Sequence, residues 1–401
     1  MTIDTSSDVR YDPYDVELNR DPHPMFARIR EEAPLYYNAQ HDFYALSRYD
    51  DVDAALLDHE TFSSARGAIL EIIKADMEIP SGTLIFEDPP IHNIHRKLLS
   101  RIFTPRKVGA LEPKIREFTA RCLDPLVGTG RFDFVADLGS QMPMRVIGML
   151  LGIPEADQSN VIEHGDSTLR TERGGKMTEN PNGAIATGEV FAEFIDWRAE
   201  HPADDIMTEL LTAEFADETG ATRRLGRDEL LLYLQVIATA GAETTTRLIG
   251  WAGKLLAEHP DQRRDMVANR TLLPAAVEEL IRYEPPAIHI SRYVTRDVEY
   301  YGQTVPAGSA MVTLVAAANR DPRRFGSDAH EFNVHRPIRQ HLGFGVGTHF
   351  CLGNALARME GRIALDEILD RFPEWEVDLT HAEISPTSTV RGWESMPAVL
   401  P

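Results

Sequence analysis

Cys351 lies in the run HLGFGVGTHFCLGNALARME, His341 to Glu360, where one thiol stands among glycines and aromatics just before a series of good helix formers. Free thiols ionise near pH 8.5, and the thiolate is the form that binds metal well. Backbone N–H groups in a glycine-relaxed loop, and a helix N-terminus just past the cysteine, would stabilise a negative sulfur. Gly345, Gly347 and Gly353 permit dihedrals and a close approach that a Cβ forbids. Phe344 supplies an aromatic wall. These residue types suit a thiolate serving as axial ligand to a heme iron. The plain alternative is a core thiol in a loop, since free cysteine is among the most buried residue types. A zinc site built from His341, His349 and Cys351 has the wrong spacing for standard sites. The C-x-x-C-H pattern of covalently attached heme is absent.

Other constellations could carry charge or protons. Glu279 and Arg282 are three apart, which puts both on one face of a helix; on a surface such a pair contributes only about 0.3–0.5 kcal/mol. His92 and Arg96 are four apart and also share a face. The stretch Ala240-Gly241-Ala242-Glu243-Thr244-Thr245 sits inside a long helical run. Glycine and consecutive threonines are poor helix formers, so a local distortion is expected there.

The frame Phe344-x-x-Gly347-x-x-x-Cys351-x-Gly353 resembles, residue for residue, the heme-binding loop of the cytochrome P450 family. The other constellations follow in that family's order, from His92 to Gly353. The resemblance implies heme b (iron protoporphyrin IX) as cofactor and Cys351 as its metal ligand, with Phe344, Gly345 and Gly353 shaping the loop. It implies that His92, Arg96, Arg292 and His349 hold the heme propionates. It implies that Glu279, Arg282 and Arg336 form a buried brace behind the loop. Small Ala240 and Gly241 would leave room above the iron, Thr244 would hydrogen-bond dioxygen or its water, and Glu243 would feed protons from solvent. The activity implied is insertion of one oxygen atom from O2 into a hydrophobic small molecule, chiefly hydroxylation. The chain has no room for a flavin or iron–sulfur domain, so electrons would come from a separate ferredoxin and its NAD(P)H-dependent reductase. Three other readings stand beside this one: a peroxide-driven peroxygenase, against which the Glu243-Thr244 pair argues; a heme-based ligand-binding or sensor protein; and a helical protein without cofactor.

The elements that must position these residues are mostly helical. Helices are expected at Asp50–Leu57, His92–Phe103 (stopped by Pro105), Pro113–Leu126, Met142–Leu151, Pro274–Tyr283 and Leu352–Phe372. A loop is expected over 180–188, then a helix to about Glu200. Asp228 reads as the N-cap of the longest helix, which runs to Glu258 before His259-Pro260 and spans roughly 45 Å. Strands are expected at Leu35–Asn38, Phe43–Ser47, Val298–Tyr301, Thr304–Pro306 and Ser309–Val315. The fold class is therefore mainly α with a minor β part: a single domain, 1–401, with a long central helix over heme. The resemblance implies that the family's variable, pocket-lining segments fall on about Phe62–Phe86, Gly165–Phe194, Ala287–Tyr293 and Val390–Met396, the second expected as a mobile lid, with His289 a candidate hydrogen-bonding group. Substrate identity and regioselectivity stay open.

Composition bounds the partners. The chain has 401 residues and a formal net charge of −22, which argues against nucleic acid. No apolar run reaches the roughly 20 residues of a membrane span, so no membrane anchor is expected. No signal peptide opens the chain, and two cysteines, Cys122 and Cys351, make no disulfide framework. The expected compartment is the cytoplasm. Against the acidic background Lys97, Arg101, Arg106, Lys107 and Arg358 form a basic island that would steer an acidic ferredoxin.

Overall fold

The computed structural model describes residues 9–76, 79–80, 82–155 and 191–401. Its axis is the helix Arg227–Glu258, 32 residues or about 48 Å long. The helix starts one residue earlier than expected. Gly226 is its N-cap, and the Gly226 N–H donates to Glu229 Oε2 at 2.7 Å, so the glutamate three residues in, rather than Asp228, satisfies the open end. The expected central distortion is also absent: the stretch 238–246 is unbroken α-helix. The hydroxyls of Thr244, Thr245 and Thr246 lie 2.8, 3.3 and 3.0 Å from the carbonyls of Ala240, Gly241 and Ala242. Such back-bonding accommodates threonine inside a helix, and packing on several sides outweighs local propensity.

The neighbours of this helix approach closely where side chains are small. A Cβ on Gly241 would lie 2.5 Å from Ile147 Cδ1, on the helix Met142–Leu150. A Cβ on Gly361, in the helix Asn354–Arg371 that follows the cysteine, would meet Leu248 at 3.2 Å and Val277 at 3.3 Å. Val277 belongs to the helix Leu273–Tyr283. These helices share one apolar core with Leu248, Ile249, Leu280 and Leu365, all at most 3% exposed. Truncating one such leucine to alanine costs about 2–5 kcal/mol.

A second layer is a five-stranded sheet of β1 (Leu35–Asn38), β2 (Phe43–Leu46), β3 (Phe62–Ser63), β4 (Ile290–Val294) and β5 (Ala310–Thr313), in the order β1-β2-β5-β4-β3. β5 runs parallel to β2, with Thr313 opposite Leu46, and antiparallel to β4, with Val312 opposite Ser291. β4 falls in a segment expected only to line a pocket. Its centre carries Ser291 and Arg292, which break the apolar pattern of a buried strand. A C-terminal hairpin pairs β6 (Glu383–Ile384) with β7 (Trp393–Ser395).

Most expected helices and strands are present with ends shifted by a residue or two. Pro105 does not simply stop a helix. The helix Ile91–Ser100 ends before it, and Pro105 opens Pro105–Ala110, with Thr104 as N-cap. The expected strand end at Val315 is instead the start of the short helix Val315–Ala318. The loop expected at 180–188, and 165–190 of the expected lid, lie outside the described residues. The helix Ala192–Glu200 follows them.

Candidate functional site

The loop before Cys351 is folded by its own backbone. Cys351 N–H donates to Phe344 O at 2.8 Å and Gly345 N–H to Leu342 O at 2.8 Å. Gly345 and Gly347 sit at φ +67° and +64°, the left-handed region that glycine occupies without strain. Burial pushes the Cys351 thiol pKa up; the Gly353 N–H and the charges of Arg96 and Arg358 oppose that but do not overcome it. The expected stabilisation of a thiolate is thus partial, and a metal ion must displace the proton to bind. A Cβ on Gly353 would meet nothing within 4 Å. The Arg358 guanidinium lies 4.3 Å from the Phe344 ring centroid. His341 is turned elsewhere: its Nδ1 accepts from Gly343 N–H at 3.0 Å and its Nε2 lies 3.1 Å from Glu278 Oε2. Among the described residues no group of three His, Cys, Asp or Glu side chains could hold a metal ion, so the zinc alternative falls.

Beside this loop the fold gathers His92, Arg96, Arg292 and His349 from three separate elements. The His92 and His349 rings lie 4.4 Å apart between centroids, tilted by 53°. Arg96 Nη2 donates to Phe350 O at 2.5 Å, tying the His92 helix to the cysteine loop. Arg292, on β4, is 3% exposed. Burial lowers the pKa of His92 and Arg96. His349 is pulled down to about 3, first by burial and then by the charges of Arg292 and His92. Arg292 falls to about 10 through burial, against the pull of Asp88. Both ring nitrogens of His92, and His349 Nε2, are buried without a hydrogen-bond partner. The adjacent acids are engaged: Glu87 with His95 at 2.8 Å and Gly82 N–H at 2.7 Å, Asp88 with Ser63 and Ser64. Buried polar atoms are nearly always paired. These donors therefore fit a ligand that brings its own carboxylates, as heme b does with two propionates.

Along the long helix Val236, Ala240 and Thr244 form one stripe at intervals of four, and these are the residues of their turns that protein covers least. Glu243, adjacent in sequence to Thr244, faces elsewhere, because successive helical residues are rotated by about 100°. Its side chain is 7% exposed, and its Oε1 accepts from Arg247 Nη2 at 3.2 Å. It is thus largely shielded from solvent. Gly241 serves the contact with Ile147 and not the stripe. On a third side, Thr245 Oγ1 lies 3.3 Å from Glu360 Oε2, as far as it lies from Gly241 O, so its single proton serves one or the other. Burial pushes Glu360 up to about 8. Sequence reading missed Glu360, although it falls on the apolar face of its helix between Leu356 and Ile363.

The Glu279–Arg282 pair is 0% exposed at both partners. Arg282 donates twice to Glu279, at 2.6 and 2.7 Å, and Arg336 Nε reaches Glu279 Oε1 at 3.4 Å. Asn333 N–H adds a bond of 2.8 Å to the same carboxylate. Arg282 also donates to the carbonyls of Asn319, Ala329 and Glu331. His289 is buried with its Nδ1 3.0 Å from Tyr11 OH. Lys97, Arg101, Arg106 and Lys107 are exposed. Lys107 pairs with Glu209. Arg358 is held by Glu278 at 2.5 Å and Asn354 at 2.6 Å, which withdraws it from the basic island. Among the described residues no helix is long and apolar enough to cross a membrane.

Comparison with known proteins agrees with this geometry. The family model described as Cytochrome P450 matches residues 189–392. Cytochrome P450 130 of Mycobacterium tuberculosis is 36% identical, over 94% of each chain. The cyclomarin C epoxidase CymV of Salinispora arenicola is 34% identical, over 96% of this chain and 97% of that one. The structure of cytochrome P450 CYP109Q5 from Chondromyces apiculatus superimposes with a TM-score of 0.85 at 32% identity, covering 97% and 98% of the two chains.

Proposed function

The chain belongs to the cytochrome P450 family and is a monooxygenase; from that premise we propose that it binds heme b through Cys351 and oxidises a hydrophobic small molecule. Hydroxylation is the expected reaction, with epoxidation, the activity named for CymV, the second outcome of the same chemistry. Electrons come from a separate ferredoxin and its NAD(P)H-dependent reductase. The observation that carries the reading is the cluster of His92, Arg96, Arg292 and His349, with its unpaired buried nitrogens, next to a cysteine on a glycine-relaxed loop.

When bound, heme supplies the redox chemistry: one atom of O2 enters the substrate, the other leaves as water, and two electrons and two protons are consumed. The remaining tasks fall to this chain's side chains. Cys351 would hold the iron as its thiolate, its proton passing to solvent. The Gly353 N–H and the Arg96 charge favour the thiolate against burial. The histidine–arginine cluster neutralises and orients the propionates. Ala240 keeps the helix surface low along the uncovered stripe. The Thr244 hydroxyl, bonded to Ala240 O, presents a movable proton on that stripe, and Glu243 is the nearest acid along the chain. The Glu279–Arg282–Arg336 brace keeps the strands and loops behind the cysteine in register.

Exposed Lys97, Arg101 and Arg106 lie on and just beyond the helix that carries Arg96, which supports docking of an acidic ferredoxin on the cysteine side. Neither cysteine is paired, in keeping with a cytoplasmic protein. The test is absorbance of the reduced, heme-loaded protein under carbon monoxide. A strongly red-shifted band is expected for thiolate ligation; its absence would overturn the reading. A panel of steroids, fatty acids and terpenoids, scored by the iron spin-state change, then identifies the substrate class.

A further inference from the structure

Arg247 stands one turn past Glu243, and its guanidinium is held from two parts of the chain. Nη2 donates to Glu243 Oε1 at 3.2 Å and to Ser385 Oγ at 3.0 Å, and Nη1 donates to Trp393 O at 2.7 Å. Glu394 Oε2 lies 3.5 Å from both nitrogens. The arginine side chain is 3% exposed, whereas Glu394 is 29% exposed. Its methylene stem is gripped as well. A Cβ on Gly392 would lie 2.5 Å from Arg247 Cβ and 2.7 Å from Cδ, so only glycine lets the C-terminal hairpin lie against the stem. One turn further on, the Trp251 and Trp393 rings pack at 5.3 Å, and Trp251 Nε1 donates to Arg391 O at 3.4 Å.

The connection between β6 and β7 reaches away from the helix. Val390 forms a β-bridge with Ala287, and Ile288 N–H donates to Thr389 O at 3.3 Å. A continuous path of contacts therefore joins the 287–290 segment, through the hairpin and Arg247, to the acid beside Thr244.

The geometry points to Arg247 as a positioning residue: it fixes the Glu243 carboxylate on the buried face of the long helix, next in sequence to Thr244, and makes that placement depend on how the C-terminal hairpin is seated. The inference rests on the roles of Glu243 and Thr244 proposed above. An exposed pair at this spacing would contribute little. This one is buried, and a buried carboxylate deprived of its cation must take up a proton or move. A guanidinium does not release protons in proteins, so Arg247 acts on proton delivery only through Glu243. Its contacts to Ser385 and Trp393 lie outside the helix, so a displaced hairpin displaces the guanidinium too.

The test uses heme-loaded protein with a saturating plant-type ferredoxin, its reductase and NADPH, without added substrate. NADPH oxidation and hydrogen peroxide release are measured in H2O and in D2O. Arg247→Ala is expected to keep the carbon monoxide band, to slow NADPH oxidation about tenfold or more, and to enlarge the solvent isotope effect. Arg247→Lys should restore most of the rate. Arg247→Ala combined with Glu243→Gln should be no slower than the slower single variant, because both act at one group. Losses that multiply, or a slower rate with an unchanged isotope effect, would overturn the inference. Should Arg247→Ala fail to hold heme, Ser385→Ala removes one of the guanidinium's anchors from outside the helix. A larger isotope effect in that variant supports the inference, and an unchanged one overturns it. A missing carbon monoxide band in the unaltered protein would instead sink the heme reading itself.

Discussion

His92 and His349 face each other at 4.4 Å between ring centroids, and three of their four ring nitrogens are buried without a partner. A bound acid would satisfy those nitrogens, in line with the propionate contacts proposed above. His92→Ala removes one charge-assisted hydrogen bond, worth about 1.5–3 kcal/mol. Heme transfer to apomyoglobin should then run about 10–100-fold faster than in the unaltered protein. An unchanged transfer rate would show that the histidine faces no propionate.

Cys351 is distinguished from Cys122 by its surroundings. Burial raises both thiols and nearby arginines oppose it at both; what sets Cys351 apart is the Gly353 N–H directed at it, on a loop open at Gly353. Cys351→Ala should abolish the red-shifted carbon monoxide band, and Cys122→Ala should leave it in place. Retention of the band in Cys351→Ala would place the ligand elsewhere.

Glu279 is wholly buried and accepts from Arg282, Arg336 and Asn333 N–H. Glu279→Ala leaves two guanidinium groups without their shared carboxylate, which costs about 3–5 kcal/mol. The expected outcome in urea unfolding is a large drop in midpoint, with heme lost in the same transition. A drop within about 0.5 kcal/mol, typical of a surface change, would refute the brace.

Glu360 carries the pH dependence. Its pKa is raised by burial from the ordinary 4.5 to about 8 in the folded protein, with the Thr245 hydroxyl pulling the other way. Between those values the folded chain holds a proton that the unfolded chain releases. Stability is therefore present in full below the lower value, falls as pH rises through the window, and is lost above the upper one, at a limiting slope of about 1.4 kcal/mol per pH unit. Glu360→Gln removes this term. Melting temperatures of the variant should gain on the unaltered protein from pH 5 to pH 9; parallel pH profiles would dismiss the assignment.

Lys97 and Arg101 are both exposed, on and just past the helix that carries Arg96. Reversing both charges, Lys97→Glu with Arg101→Glu, should slow reduction by ferredoxin and flatten its dependence on ionic strength. Stopped-flow rates that keep their salt dependence would exclude this face as the docking site.

Several pieces of the site were legible in the chain because they are local. The cysteine frame, Phe344 to Gly353, is a loop of ten residues in which Gly345 and Gly347 take left-handed positions, and spacings of three and four put Glu279 with Arg282, and His92 with Arg96, on shared helix faces. The groove was only half legible. Sequence places Glu243 beside Thr244, but the helical rotation sends one to Arg247 and leaves the other on the uncovered stripe. Gly241 reads as room for oxygen and proves to be room for Ile147.

What the amino-acid sequence determined by itself is the inventory: a cysteine in a glycine-bearing loop, histidines and arginines at fixed spacings, an acid next to a threonine, and helices to carry them. What the tertiary structure alone decided is pairing across the chain: β2 against β5, the C-terminal hairpin on Arg247, and Glu360 under Thr245. Periodicity reports which face of an element is buried, since that depends on a few residues in succession. The choice of partner depends on shape and charge complementarity between segments hundreds of residues apart, and no local spacing encodes it.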